Sequence, residues 1–139
     1  MAQVLDILQD ALQYLGVQDP DAALSPEDEK SGIRQLNMMM RRWEADGLSM
    51  GWVDATEGAD VLTAPPECEE AIGYNLALRL QARYGISPAR LEYVSAKARE
   101  GYNTLLRDQE VATPLVARTN LPEPESYNDA AYRSTVWDY

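Results

Sequence analysis

The sequence has 139 residues, 45% of them apolar, which suits a single domain with one hydrophobic core. It contains no histidine and one cysteine, Cys68, so an internal disulfide and a histidine acid or base are excluded, and a zinc site with nitrogen or sulfur ligands nearly so. A formal net charge of -11 repels phosphate backbones and disfavours specific DNA or RNA binding as its task.

The acidity is uneven: residues 1–36 carry seven acids against two bases, whereas residues 67–110 carry seven against six. In the first segment, residues 2–15, Val4, Leu5, Leu8, Ala11, Leu12 and Leu15 share one face, and Asp6, Gln9, Asp10 and Gln13 share the other. This predicts an amphipathic helix stopped at Gly16. The start lacks a basic n-region, Asp6 and Asp10 interrupt any signal-peptide core, and no apolar run approaches membrane-spanning length. The expectation is a soluble chain made in the cytoplasm.

Gln18-Asp19-Pro20-Asp21 reads as a turn, and Ser25-Pro26-Glu27-Asp28-Glu29 as a helix start with an N-cap, a first-turn proline and acids facing the helix dipole. The second helix is predicted over about 26–46. Leu36, Met39, Met40 and Trp43 form its apolar stripe with Ile33, Met38 falls on a flank, and Gly47 is suited to the left-handed closing position. Asn37, one turn from Arg41, fits either a buried hydrogen bond, the preferred reading, or a subunit contact. Residues 49–64 lose the helical period. Trp52-Val53 and Val61-Leu62 flank a polar tip at Glu57-Gly58, which predicts a short hairpin or an ordered loop projecting from the helices. Trp52 is then either tucked onto the helices or presented to a partner.

Pro65-Pro66-Glu67 opens a third helix reaching about Tyr84 before Gly85, with Ile72, Leu76 and Leu80 inward and Ala77 small enough for a close crossing. Arg79 and Arg83, one turn apart, suit surface ion pairs or an acidic patch of a neighbouring subunit. Ser87-Pro88 starts a fourth helix to about Asp108, with Leu91, Val94, Ala98, Tyr102, Leu105 and Leu106 inward. The fold class is therefore all-α: a four-helix bundle over 1–110 with an inserted loop or hairpin at about 49–64. Beyond Glu110, Pro114, Pro122 and Pro124 oppose a helix, while Tyr127, Tyr132, Trp137 and Tyr139 supply aromatics that solvating tails lack. Residues 111–139 are predicted to be an extended arm of roughly 60 to 90 Å, and tyrosine and tryptophan suit it to intermolecular contact.

The enzymatic alternative is a cell-wall hydrolase with a carboxylate pair drawn from Glu44, Asp46, Asp54, Glu57 or Glu67. Ser25, Ser49 and Ser87 have no histidine to activate them, and Cys68 lacks a base and reads as a packing residue. A helical interaction module is the third possibility. No catalytic, cofactor or metal residue is assigned.

Leu36-Asn37, Trp43, Asp46-Gly47-Leu48, the Pro-Pro-Glu start and Glu70-Ala71-Ile72-Gly73-Tyr74-Asn75-Leu76-Ala77-Leu78-Arg79-Leu80 ending in Tyr84-Gly85 together resemble the head-to-tail adaptors of tailed bacteriophages. The likeness covers about residues 3–108 and is strongest to the tail accessory, or packaged-DNA stabilisation, proteins of short-tailed phages. It implies a non-enzymatic virion protein at the head-tail junction. In that family the protein forms a dodecameric ring beneath the portal, extends the DNA channel, retains packaged DNA and receives the next tail component. The arm residues Leu115, Arg118, Tyr127, Tyr132, Arg133, Trp137 and Tyr139 would grip the portal or a neighbouring subunit. Trp52, Asp54, Glu57 and Asp60 would line the channel or face the tail, where carboxylates let DNA slide past without specific binding. No cofactor and no membrane partner is implied.

Overall fold

A computed structural model of the chain describes residues 2–112 and contains the expected helices: α1 (Val4–Leu15), α2 (Pro26–Ala45), α3 (Glu69–Tyr84) and α4 (Pro88–Ala112). A 3-10 turn, Pro66–Cys68, leads into α3. The described residues form no strand, and a single isolated bridge pairs Gln3 with Val61. The segment between α2 and α3 is thus an ordered loop and not a hairpin. α4 runs through Val111 and Ala112, two residues expected in the arm. Its next breaker is Pro114, which disfavours helix at the residue before it. The rest of the predicted arm lies outside the described residues. No helix among the described residues is long and apolar enough to cross a membrane.

The apolar stripes converge largely as their spacing dictates, except that in α1 Leu5, expected inward, is half-buried and Ile7 takes the core position. α1 buries Val4, Ile7, Leu8, Ala11, Leu12 and Leu15, and α2 buries Ile33, Leu36, Met39, Met40 and Trp43. Met38 stays outside that stripe at 46% exposure. Gly47, at φ 100°, lets the chain turn off α2 so that the Leu48 amide donates to Trp43 O at 2.9 Å and the Leu48 side chain enters the core.

Ala77 is fully buried, but the tight approach of α3 and α4 falls elsewhere. At Gly101 a Cβ would sit 2.8 Å from Ala71 Cβ and 3.0 Å from Ala71 Cα. Beside this crossing the Asn75 side chain donates to Ala71 O at 2.8 Å and to Ala98 O at 3.0 Å, joining the two helices through a polar link. Ala71, Val94, Ala98 and Leu105 complete this side of the core.

The start of α2 is fastened to the end of α3. Asp28 accepts from the Ser25 hydroxyl at 2.7 Å and from the Tyr84 hydroxyl at 2.7 Å, with Arg83 Nη2 3.4 Å away. The Tyr84 and Ser25 hydrogen bonds, aided by Arg83, hold the Asp28 carboxyl below the usual range. Burial and the bond to Asp28 push Tyr84 up to about 12. Arg79, by contrast, is exposed and has no ion pair among the described residues.

Two outcomes follow from this packing. Gly101→Val forces α3 and α4 apart and should lower unfolding free energy by about 1–3 kcal/mol in a denaturant titration. In the folded state Tyr84 keeps a proton that an unfolded tyrosine loses near pH 10, so stability falls as pH rises from 10.0 towards about 12. Tyr84→Phe should flatten part of that alkaline slope, Tyr74, also raised to about 12, supplying another part. At pH 7 the lost hydrogen bond should cost about 1 kcal/mol.

Candidate functional site

The loop between α2 and α3 is the stretch expected to project, and its course is set by one flank of α2. Glu44, Arg41, Asn37 and Glu29 lie in turn along that flank, and each takes hold of the loop. The Trp52 amide donates to Glu44 Oε1 at 3.0 Å. Arg41 Nε lies 3.1 Å from each Asp54 carboxylate oxygen, and Arg41 Nη2 bonds the same carboxylate. Asn37 Nδ2 donates to Ala55 O at 2.8 Å while the Ala55 amide donates to Asn37 Oδ1 at 2.9 Å. The Gly58 amide donates to Glu29 Oε1 at 2.9 Å.

The loop therefore runs antiparallel to the helix. From Glu44 back to Glu29 the helix rises about 22 Å, and from Trp52 to Gly58 an extended chain covers about 20 Å. The two lengths match, so a side chain can reach the loop backbone at successive turns.

The loop then closes over the start of α1. Asp60 O accepts from the Val4 amide at 2.9 Å, Gly58 O from the Leu5 amide at 2.8 Å, and the Leu62 amide donates to Ala2 O at 2.9 Å. The first two bonds satisfy amides that the first turn of a helix leaves open. Gly58 sits between α1 and α2, where a Cβ would lie 2.5 Å from Glu29 Oε1 and 3.3 Å from Leu5 Cβ. The Asp60 carboxylate fastens the tip by accepting from the Thr56 amide at 2.7 Å, the Thr56 hydroxyl at 3.0 Å and the Glu57 amide at 2.9 Å. Those bonds, the Glu57 amide's foremost, hold its carboxyl below the usual range.

The loop consequently does not project. Trp52 is 9% exposed and packs in the core with Met50, Ala55, Leu62 and Ala64, so the reading of Trp52 as a presented residue gives way to the tucked one. Asp54 pairs with Arg41, Asp60 serves the turn, and of the predicted loop residues Glu57 remains exposed with no side-chain bond among the described residues. Asn37 makes the hydrogen bond preferred for it. Among the carboxylates considered for hydrolysis, Glu44 holds the Trp52 amide, Asp46 pairs with Arg42 at 3.2 Å, and Arg41 keeps the Asp54 carboxyl low, opposite to the need of a general acid. Glu67 lies apart from these, on a cavity of about 160 Å³ between α3 and α4. No group of described residues is arranged to hold a metal ion. Leu115, Arg118, Tyr127, Tyr132, Arg133, Trp137 and Tyr139 lie outside the described residues.

A second surface was not singled out in the sequence. Tyr14 of α1 stacks on Tyr74 of α3 with ring centroids 4.0 Å apart and planes 8° from parallel. Tyr93 of α4, 51% exposed, meets Tyr74 edge-on at 6.4 Å. Acids rim this platform. Burial, with Asp6 and Glu69 nearby, pushes the Asp10 carboxyl up, and Tyr14 is raised by burial with Asp10 and Glu70 beside it. The four-residue spacings Asp6-Asp10-Tyr14 and Glu70-Tyr74 were the available signal, but adjacency of the two helices was not.

A family model described as P22 tail accessory factor matches residues 1–137. No curated protein matches the chain.

The loop fastening is measurable. Asn37→Ala leaves the Ala55 amide and carbonyl without partners and should cost about 2 kcal/mol of unfolding free energy. Glu57→Gln should change stability by less than about 0.5 kcal/mol in the same titration.

Proposed function

Because the chain belongs to the P22 tail accessory factor family, we propose that it is a non-enzymatic adaptor of a phage virion. It forms a ring under the portal, extends the DNA channel, helps retain packaged DNA and provides the attachment site for the next tail component. The observation that carries this reading is the extent of the family match, which spans the helical body and nearly all of the segment beyond it. A ring of twelve copies follows from the resemblance to head-to-tail adaptors.

The physical properties of the chain support the assignment. A net charge of -11 suits a channel that DNA must pass without adhering. Of the loop acids, Glu57 is best placed to face such a channel, since Asp54 and Asp60 are engaged within the fold. The grip on the portal and on neighbouring copies belongs to residues 113–139. There Leu115, Tyr127, Tyr132, Trp137 and Tyr139 offer apolar and aromatic area, and Arg118 and Arg133 offer charge. The aromatic burial gained on binding offsets the entropy of fixing that segment in place.

The experiment is size-exclusion chromatography with light scattering on the full chain, on the chain ending at Glu110, and on each mixed with the portal of the same phage. The full chain should enter a ring-sized complex with the portal and the shortened chain should remain free. A full chain that ignores the portal contradicts the adaptor reading.

A further inference from the structure

α2 has a third row, directed away from the core and running from the edge of the loop to open solvent: Lys30 shares a cavity with Thr56 and Glu57 of the loop, and Arg34, Met38 and Arg42 lie progressively farther round the helix. Lys30, Arg34, Met38 and Arg42 lie on it at four-residue spacing, and all four are exposed. Lys30 and Arg34 have no ion pair among the described residues, and Arg42 is engaged only by Asp46 at the end of its own helix. In a chain of net charge -11, a basic row with a 46% exposed methionine in it is an unusual concentration.

The platform on α1 and α3 has the complementary order. Asp6, Asp10 and Tyr14 follow one another at the same spacing on α1, Glu70 and Tyr74 do so on α3, and the Tyr14–Tyr74 stack joins the two rows. Each four-residue step is about 6 Å on any helix. Acid, acid and aromatic ring therefore recur at the intervals of Lys30, Arg34 and Met38. Asp10 and Glu70 have no ion pair among the described residues, and the crowding of Asp6, Asp10 and Glu69 would be relieved by a cation. A guanidinium can bond a carboxylate and lie on a tyrosine face, and a thioether packs well against an aromatic ring.

We propose that these surfaces are the two halves of one contact between copies of this chain, the α2 row Lys30-Arg34-Met38 of one copy lying along Asp6-Asp10-Tyr14 and Glu70-Tyr74 of the next. The two halves differ, so the contact is head-to-tail, and repeated with a closing rotation it generates a ring. The inference rests on the adaptor reading for the ring but assigns the subunit contact to the helical body, independently of residues 113–139.

The test is sedimentation velocity on the full-length chain over a concentration series, alone and with its cognate portal, using Arg34→Glu, Asp10→Arg and the double variant in one chain. Thermal melts check that each variant is folded. Either single reversal should weaken association between copies by about tenfold or more, and the double variant should recover most of the loss, because the carboxylate and the guanidinium have then only exchanged sides of the contact. The inference is overturned if the single reversals associate like the unmodified chain or if the double variant is no better than the singles. It is also overturned if Asp10→Arg alone has an effect, which would mark the platform as the seat of a basic segment of another protein, or if unmodified copies associate in neither setting. Unaltered portal loading by every variant would remove this contact and leave the adaptor reading in place. Charge-dependent self-association without portal binding would do the reverse.

Discussion

The structure depends on a backbone that must be satisfied where no regular partner exists. Residues 52–58 run extended against a helix, and a helix has no spare amides or carbonyls along its side to pair with them. Buried backbone groups without partners are costly, so side chains of α2 supply the bonds: Glu44 for the Trp52 amide, Asn37 for both polar groups of Ala55, Glu29 for the Gly58 amide. Asn37 is the closest analogue of a strand partner, because its amide presents one donor and one acceptor with the geometry of a peptide. Once the loop is held there, its next carbonyls cap α1, and Trp52, Ala55 and Leu62 reach the core. Loop, helix start and core are consequences of one row of side chains.

The same helix divides the molecule's tasks by face. One stripe, from Ile33 to Trp43, is core; the flank from Glu29 to Glu44 holds the loop, with Lys30 at its edge; Arg34, Met38 and Arg42 face solvent. Exposed ion pairs such as Arg42–Asp46 add little to stability, so that outer row is not needed for folding and is open to use by a partner. The carboxylates split similarly. Asp28, Asp54 and Asp60 are spent on internal bonds, and each carboxyl is held low by them, whereas Asp10 is pushed up by burial among other acids. The first group maintains shape and the second is left available for contact.

The features that were legible in the sequence are those fixed by near neighbours. Ser25-Pro26 announced a helix start, Leu36, Met39, Met40 and Trp43 an apolar stripe, and Gly47 its closure, because each depends on residues within a turn or two. The bond of Asn37 was anticipated as a type, but its partner Ala55 lies eighteen residues away, and no local rule links them. For the same reason local rules allow the loop a freedom it does not have, and Trp52 a choice it does not keep. Gly101 carries no local signal and Gly58 reads only as a loop tip, whereas each is small because a different helix passes beside it. The tyrosine platform was hidden likewise, since its rows sit on α1 and α3 and become one surface only when those helices pack. The head-to-tail adaptor resemblance, resting on short structural motifs, was sustained by a family match over residues 1–137.

α2 holds residues 52–58 as firmly as it holds the core. Native-state hydrogen exchange at single-residue resolution addresses it directly. The Trp52, Ala55 and Gly58 amides, with those of Val4 and Leu5 that the loop caps, should be protected to nearly the level of the buried helix amides. Their exchange should slow and quicken together with global stability. Exchange of these amides at the rate of an open surface loop, while the helices stay protected, would contradict the account.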